Sequence, residues 1–304
     1  MPSFITLLKG SFLLALAAPA YANYGQLGFS LGVKRNGDGL CKETVDFEAD
    51  FDVLAPYTKF VRTYATSDCN TMQNIMPALA KKGFKIVLGV WPNDDSHFDL
   101  EKKALETYIP KYGTDNILAI TVGSEALYRK DMTGKELAAR VEEVRKLCKS
   151  LGADSIPIGF ADSWNMLIEG EAVPVIQASD IVLGNAFSYW QGQRMNNASH
   201  SFFDDIMQAL DRVQTIKGTS NFQFWVGETN WPTGGAKYGD AVPSNDNAAT
   251  YWKESVCSML HWGVNVFVFS AFDEEWKPAE KDNSVEKHWG VFKDDGKPKY
   301  DLTC

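Results

Sequence analysis

The sequence predicts an α/β fold: a (β/α)8 barrel of the TIM type, one domain over residues 23–304 behind a signal peptide at 1–22. Eight short runs of β-branched and aromatic residues recur along the chain, and amphipathic stretches separate them. No Gly-x-Gly-x-x-Gly follows the first run. Strict β-then-α alternation specifies a parallel sheet. Eight such units close it into a barrel, and the missing glycine motif argues against an open dinucleotide-binding sheet. A chain of 304 residues, 45% hydrophobic and 23% charged, suits one barrel with its loops.

The runs lie at 27–29, 60–64, 85–90, 117–122, 157–160, 181–184, 222–226 and 264–269. They are short and nearly continuously apolar, as strands covered on both faces must be. Helical spacing occupies 46–54, 71–82, 100–108, 136–151, 201–216 and 244–263. The helix at 136–151 opens on a capping box, Thr133-Gly134-Lys135-Glu136, and Gly152 closes it. No linker, repeat or composition break divides the chain.

At the N-terminus, Lys9, the apolar run 11–18 and Ala20-Tyr21-Ala22 read as a signal peptide cleaved after Ala22. That run is far below the roughly 20 residues of a spanning helix. The C-terminal Tyr300-Asp301-Leu302-Thr303-Cys304 carries no hydrophobic tail. Secretion without a membrane anchor is expected. Secretion permits disulfides; Cys41, Cys69, Cys148, Cys257 and Cys304 are odd in number, and their spacing leaves the pairing open. Asn197-Ala198-Ser199, in a polar stretch, reads as a surface glycosylation site at Asn197. Thirty basic against 39 acidic residues give a net charge of −9 with no basic run, which excludes nucleic acid as a partner. None of His97, His200, His261 and His288 pairs with another at ligand spacing or ends a strand. No metal and no cofactor are expected.

Barrel chemistry sits at the C-terminal ends of the strands. The fourth run ends Val122-Gly123-Ser124-Glu125 and the seventh ends Val226-Gly227-Glu228-Thr229-Asn230-Trp231. A carboxylate there is costly to desolvate and needs a reason. Two on separate strands can point into one mouth, where retaining glycosidases hold two carboxyls about 5–5.5 Å apart. Repulsion at that range raises the pKa of one and leaves the other ionised, dividing acid from nucleophile. Five of the nine tryptophans, Trp91, Trp164, Trp190, Trp231 and Trp276, follow strand ends, as do Tyr64 and Tyr189. A ring of aromatics at one rim predicts a cleft for stacked sugar rings. Asn93, Asp94, Asp162, Glu274 and Glu275 lie beside it to bond hydroxyls.

These glutamate motifs, with Val61-Arg62-Thr63-Tyr64, Gly89-Val90-Trp91-Pro92, Asn185-Ala186-Phe187-Ser188-Tyr189-Trp190 and Phe272-Asp273-Glu274-Glu275-Trp276-Lys277, resemble glycoside hydrolase family 17. More narrowly, the chain is similar to the fungal cell-wall branch of β-1,3-glucan endo-glucosidases and glucanosyltransferases. The resemblance runs from about Gly28 to Tyr300. It implies a retaining enzyme on β-1,3-glucan in the cell wall, with Glu125 as acid/base and Glu228 as nucleophile. It also implies that Tyr64, Glu274 and Lys277 support the site, that Tyr189 lies near the nucleophile, and that Asn185 and Asn230 stand beside them. Two departures stand out: Ser124 where the wider clan has Asn to bond the sugar 2-hydroxyl, and Phe187 where plant relatives tend to have Tyr. A monomer is expected. The sequence leaves hydrolysis and glucan transfer undivided. It also admits a glycosidase for another β-glycan, or a wall-associated protein that only holds glucan.

Overall fold

All eight apolar runs form strands: β1 (Leu27–Ser30), β2 (Phe60–Arg62), β3 (Lys85–Val90), β4 (Ile117–Ser124), β5 (Ile158–Ser163), β6 (Ile181–Asn185), β7 (Gln223–Thr229) and β8 (Val266–Val268). They pair in parallel in sequence order, and β1 pairs with β8 to close the barrel. The computed structural model describes residues 24–278 and 285–304, so the signal peptide expected at 1–22 lies outside the described residues.

Outside the sheet run α1 (Thr44–Leu54), α2 (Thr71–Lys82), α3 (Asp95–Tyr112), α4 (Gly134–Ser150), α5 (Trp164–Leu167), α6 (Val173–Ala178), α7 (Met195–Lys217), α8 (Asn245–Tyr251) and α9 (Ser258–His261). The capping box of α4 is formed: Glu136 N donates to the Thr133 hydroxyl and Thr133 N to the Glu136 carboxylate. Helix α3 starts earlier than its apolar pattern, because Asp94 accepts from Ser96 N and His97 N and caps a polar first turn. The stretch expected as one helix at 244–263 is interrupted by a π turn, Trp252–Cys257. Helices α5 and α6 went unpredicted; at 4 and 6 residues they are too short to show a helical period.

Inside the barrel pack Val87, Ala119, Ala161, Ile181, Leu183 and Phe267. Their strand neighbours Ile86, Leu88, Ile120, Phe160 and Val182 face the helices. Side chains thus alternate in and out, each buried Ile, Leu or Phe contributing roughly 1.5–3 kcal/mol. The alternation is broken near the top of two strands. Between β4 and β5 the register steps from Thr121↔Gly159 to Ser124↔Ala161, an extra residue on β4 beside Gly123 at φ +81°. Between β6 and β7 it steps from Gly184↔Val226 to Asn185↔Glu228, an extra residue on β7 at Gly227. A Cβ on Gly227 would lie 2.5 Å from Asn185 Oδ1, so only glycine fits. Such bulges re-aim the following side chain, and here they sit directly before the two glutamates.

Disulfides join Cys41 to Cys69, tying the loop after β1 to that after β2, and Cys257 to Cys304; Cys148 is buried and unpaired. The odd cysteine is accounted for within α4.

Candidate active site

Glu228, on the bulged end of β7, is buried against Arg62 at the end of β2. The fully buried guanidinium donates through Nη1 to Glu228 Oε1 (3.2 Å) and to Gly227 O (2.7 Å). Its Nη2 donates to Ser124 Oγ (3.1 Å), and that hydroxyl reaches Glu228 Oε1 at 3.3 Å. The Tyr64 ring lies 4.8 Å from the guanidinium, completing a cage in which the arginine charge is neutralised by the carboxylate. Burial, then the Glu228 charge, hold the Tyr64 phenol well above its usual ionisation range.

Glu125 leaves β4 in the left-handed region, φ +58°, with its N–H donating to Ala161 O (3.0 Å). Its Oε1 accepts from Asn185 Nδ2 (3.2 Å), and no cation forms an ion pair with it among the described residues. Burial and then the Glu228 charge push the Glu125 carboxyl up to about 7, against the Asn185 hydrogen bond. Two glutamates of one cleft therefore sit in opposite electrostatic settings.

Both carboxyls line two cavities. One, of about 540 Å³, is walled by Tyr128, Trp164, Asn185, Phe187, Trp190, Phe269 and Trp289. The other, of about 420 Å³, is walled by Gly32, Tyr64, Trp91, Ser124, Arg129, Glu274, Trp276 and Lys277. At Tyr64, Asp68 and Trp91 the second opens into a third space of about 620 Å³ that holds Asn93, Asp94 and His97. Each is of ligand size, and together they form a trough through the carboxylates. Lys277 pairs with Glu274 (2.6 Å) and lies over the Phe269 ring, which fixes the wall between them.

Of the residues expected in the cleft, Tyr64, Trp91, Ser124, Trp164, Asn185, Trp190, Glu274, Trp276 and Lys277 stand there with both glutamates. Four do not, and these are corrections. Trp231 is fully buried, its ring against Tyr189 and Tyr251 and its indole N–H donating to Val242 O (2.9 Å). Tyr189 is equally buried and donates its hydroxyl to Ala236 O. Asn230 is buried and donates to Trp289 O (2.7 Å). These three belong to chain that packs beneath the rim; Thr233 N, just beyond, donates to His288 O. Asp162 follows the inward Ala161, so it faces out of the barrel and is fully buried. There it accepts from Leu127 N, Tyr128 N and Ser163 N. Burial pushes its carboxyl up to about 6 against those three bonds.

Sequence reasoning missed Arg62, Phe269 and Trp289. A lone arginine ending an apolar run was a usable signal for the first; the other two lie at or beyond the end of β8, where no spacing marks the rim. Asn197 is exposed, in the first turn of α7 instead of a loop. Among the described residues, Asp68, His97 and Glu101 lie close enough together to share an ion, as do Asp273, Glu275 and His288. Glu101 already accepts from Thr66, Ser67 and Trp91, and Asp273 from Lys299 and Gly290.

Residues 28–290 match the model of the BtgE/BtgC glycoside hydrolase domain. The chain is 50% identical to Glucan 1,3-beta-glucosidase BGL2 of Candida albicans over 298 residues, 96% of each chain. It is 50% identical to a glucan 1,3-beta-glucosidase of Saccharomyces cerevisiae, over 98% of this chain and 97% of that one. Among solved structures, an active-site mutant of the Rhizomucor miehei β-1,3-glucanosyltransferase in complex with laminaritriose superposes with a TM-score of 0.79. It is 30% identical and covers 92% of this chain and 98% of its own. A plant β-glucan endohydrolase, 20% identical over 91% of this chain and all of its own, shares the barrel fold with a TM-score of 0.69. With a family match across most of the described barrel and half of all residues shared with full-length relatives, this chain belongs to the BtgE/BtgC glycoside hydrolases, an enzyme family of the family 17 type.

Proposed function

We propose that the protein is a secreted, retaining enzyme that cleaves internal β-1,3-glucosidic bonds and passes the glucan to another glucan chain or to water, remodelling the fungal cell wall. The observation that carries the mechanism is the asymmetry of the two cleft glutamates: Glu228 faces a buried guanidinium, whereas Glu125 has its carboxyl pushed up to about 7. Glu228 attacks the anomeric carbon and forms a glycosyl ester while Glu125 protonates the departing glycosidic oxygen. Glu125 then takes the proton of the incoming hydroxyl, whose oxygen displaces Glu228 and restores the original anomeric configuration.

Space on both sides of the carboxylates suits an internal bond, since an exo-acting site needs only one side open. Trp91 and Trp276 on one side, with Trp164 and Trp190 on the other, offer faces for sugar rings. The names of the relatives and the laminaritriose complex support β-1,3-glucan as substrate. The N-terminal signal pattern, the two disulfides and the exposed Asn197 sequon support secretion to the wall.

The test is a time course with a reduced-end β-1,3-gluco-oligosaccharide of defined length. Products longer than the substrate identify a glucanosyltransferase, and linkage analysis then asks whether branches form. Only shorter products identify an endo-hydrolase and sink the transfer step; no turnover by folded protein sinks the choice of substrate.

A further inference from the structure

Glu125 occupies a backbone conformation that costs a non-glycine residue about 1–2 kcal/mol, and such strain persists only where the surroundings over-determine it. Two side chains do so. Asp162 reaches the turn after Glu125 from β5, accepting from Leu127 N (2.9 Å) and Tyr128 N (3.2 Å), with Ser163 N as a third donor. From within that turn Arg129 donates through Nη2 to Ser124 O (2.7 Å), the carbonyl preceding Glu125. The guanidinium is itself anchored, Nε on Asp131 (3.0 Å) and its plane 4.9 Å from the Trp91 ring.

We infer that Asp162 and Arg129 form a clamp of opposite charges that holds Glu125 in its strained backbone and balances the field at its carboxyl. Both are positioning residues for the proton transfer, a role that rests on Glu125 being the acid/base. Asp162 is spent on backbone donors out of reach of sugar, and three N–H groups converging on one side chain call for two acceptor oxygens. An asparagine would turn its own NH2 against one of them. The charges act in opposite directions: Asp162 favours the protonated carboxyl and Arg129 the ionised one. The other groups facing Glu125 are Glu228 from β7 and Asn185 from β6; Arg62 acts through Glu228 and Ser124.

The test compares Asp162→Asn and Arg129→Gln in the full secreted chain by the pH dependence of kcat/KM on a β-1,3-gluco-oligosaccharide. The basic limb should move down by about one pH unit in Asp162→Asn and up by about half a unit in Arg129→Gln. A merely structural role would lower kcat or the melting temperature and leave the limb in place. An unmoved limb in both variants, or movement in the same direction, overturns the clamp. If Asp162→Asn does not fold, Arg129→Gln decides alone, its upward shift or the lack of one. Glu125→Gln, measured alongside, separates the premises: near-normal activity there overturns the acid/base reading itself.

Discussion

At the end of β7, Glu228 pairs with the Arg62 guanidinium; at the end of β4, Glu125 forms no ion pair among the described residues and accepts from a neutral amide. The two strand ends are otherwise built alike. Each carries one extra residue at a glycine, and each delivers its carboxyl to the same pair of cavities, Glu228 buried and Glu125 partly buried. Position and residue type therefore do not divide the roles. In the proposed mechanism the partner does: a buried, directly paired cation suits a carboxylate that would attack as an anion, and a neutral amide partner suits one that would deliver a proton.

The sharpest way to break this contrast is to replace each glutamate by its amide. Glu228→Gln removes the attacking oxygen, and kcat should fall on the order of 10⁴-fold with the fold retained by circular dichroism. Glu125→Gln removes only the proton, worth about 10²–10⁴-fold. A Glu228→Gln enzyme retaining a tenth of the normal rate would sink the nucleophile assignment.

Next in size is the partner. Arg62→Met leaves the Glu228 carboxylate buried beside Ser124 without its cation, and breaking such a pair costs about 3–5 kcal/mol in urea unfolding. The double variant with Glu228→Gln should recover part of that loss, because the unpaired charge disappears. Equal stability of the single and double variants would mean that Arg62 matters by its packing alone.

The contrast also shows what a linear sequence carries. All eight strands were legible, because a barrel strand buried on both faces must be a continuous apolar run. Glu125 and Glu228 were legible as costly charges after such runs. Their proposed division of labour came from the family resemblance; the partners that set the two apart were not legible, since Arg62 lies on β2 and Asn185 on β6, far away in sequence. Alternation correctly forecasts that Asp162, one place beyond an inward Ala161, faces away from the cleft; treating every polar residue near a strand end as a ligand overlooked this. Trp231 and Tyr189 failed for the related reason that strand-end position does not tell a rim aromatic from one folded beneath it. The bulges themselves left only glycines as a trace, at Gly123 and Gly227.

The smallest effect is also the most selective. A carboxyl held at about 7 in the folded protein, against 4.5 ordinarily, favours folding only while it is protonated. Below pH 4.5 folded and unfolded chains are both protonated and the burial of Glu125 costs nothing by this route. As the pH rises from 4.5 to 7 the unfolded chain ionises first, and above 7 the folded state is about 3 kcal/mol worse off. Glutamine does not titrate. Glu125→Gln should therefore match the parent near pH 4 and melt about 6 °C higher at pH 8. Glu228→Gln should do the reverse at neutral pH, because it strands the buried Arg62 charge. An advantage of Glu125→Gln that stays constant from pH 4 to 8 would come from packing, and Glu125 would then not be the group held protonated in this cleft.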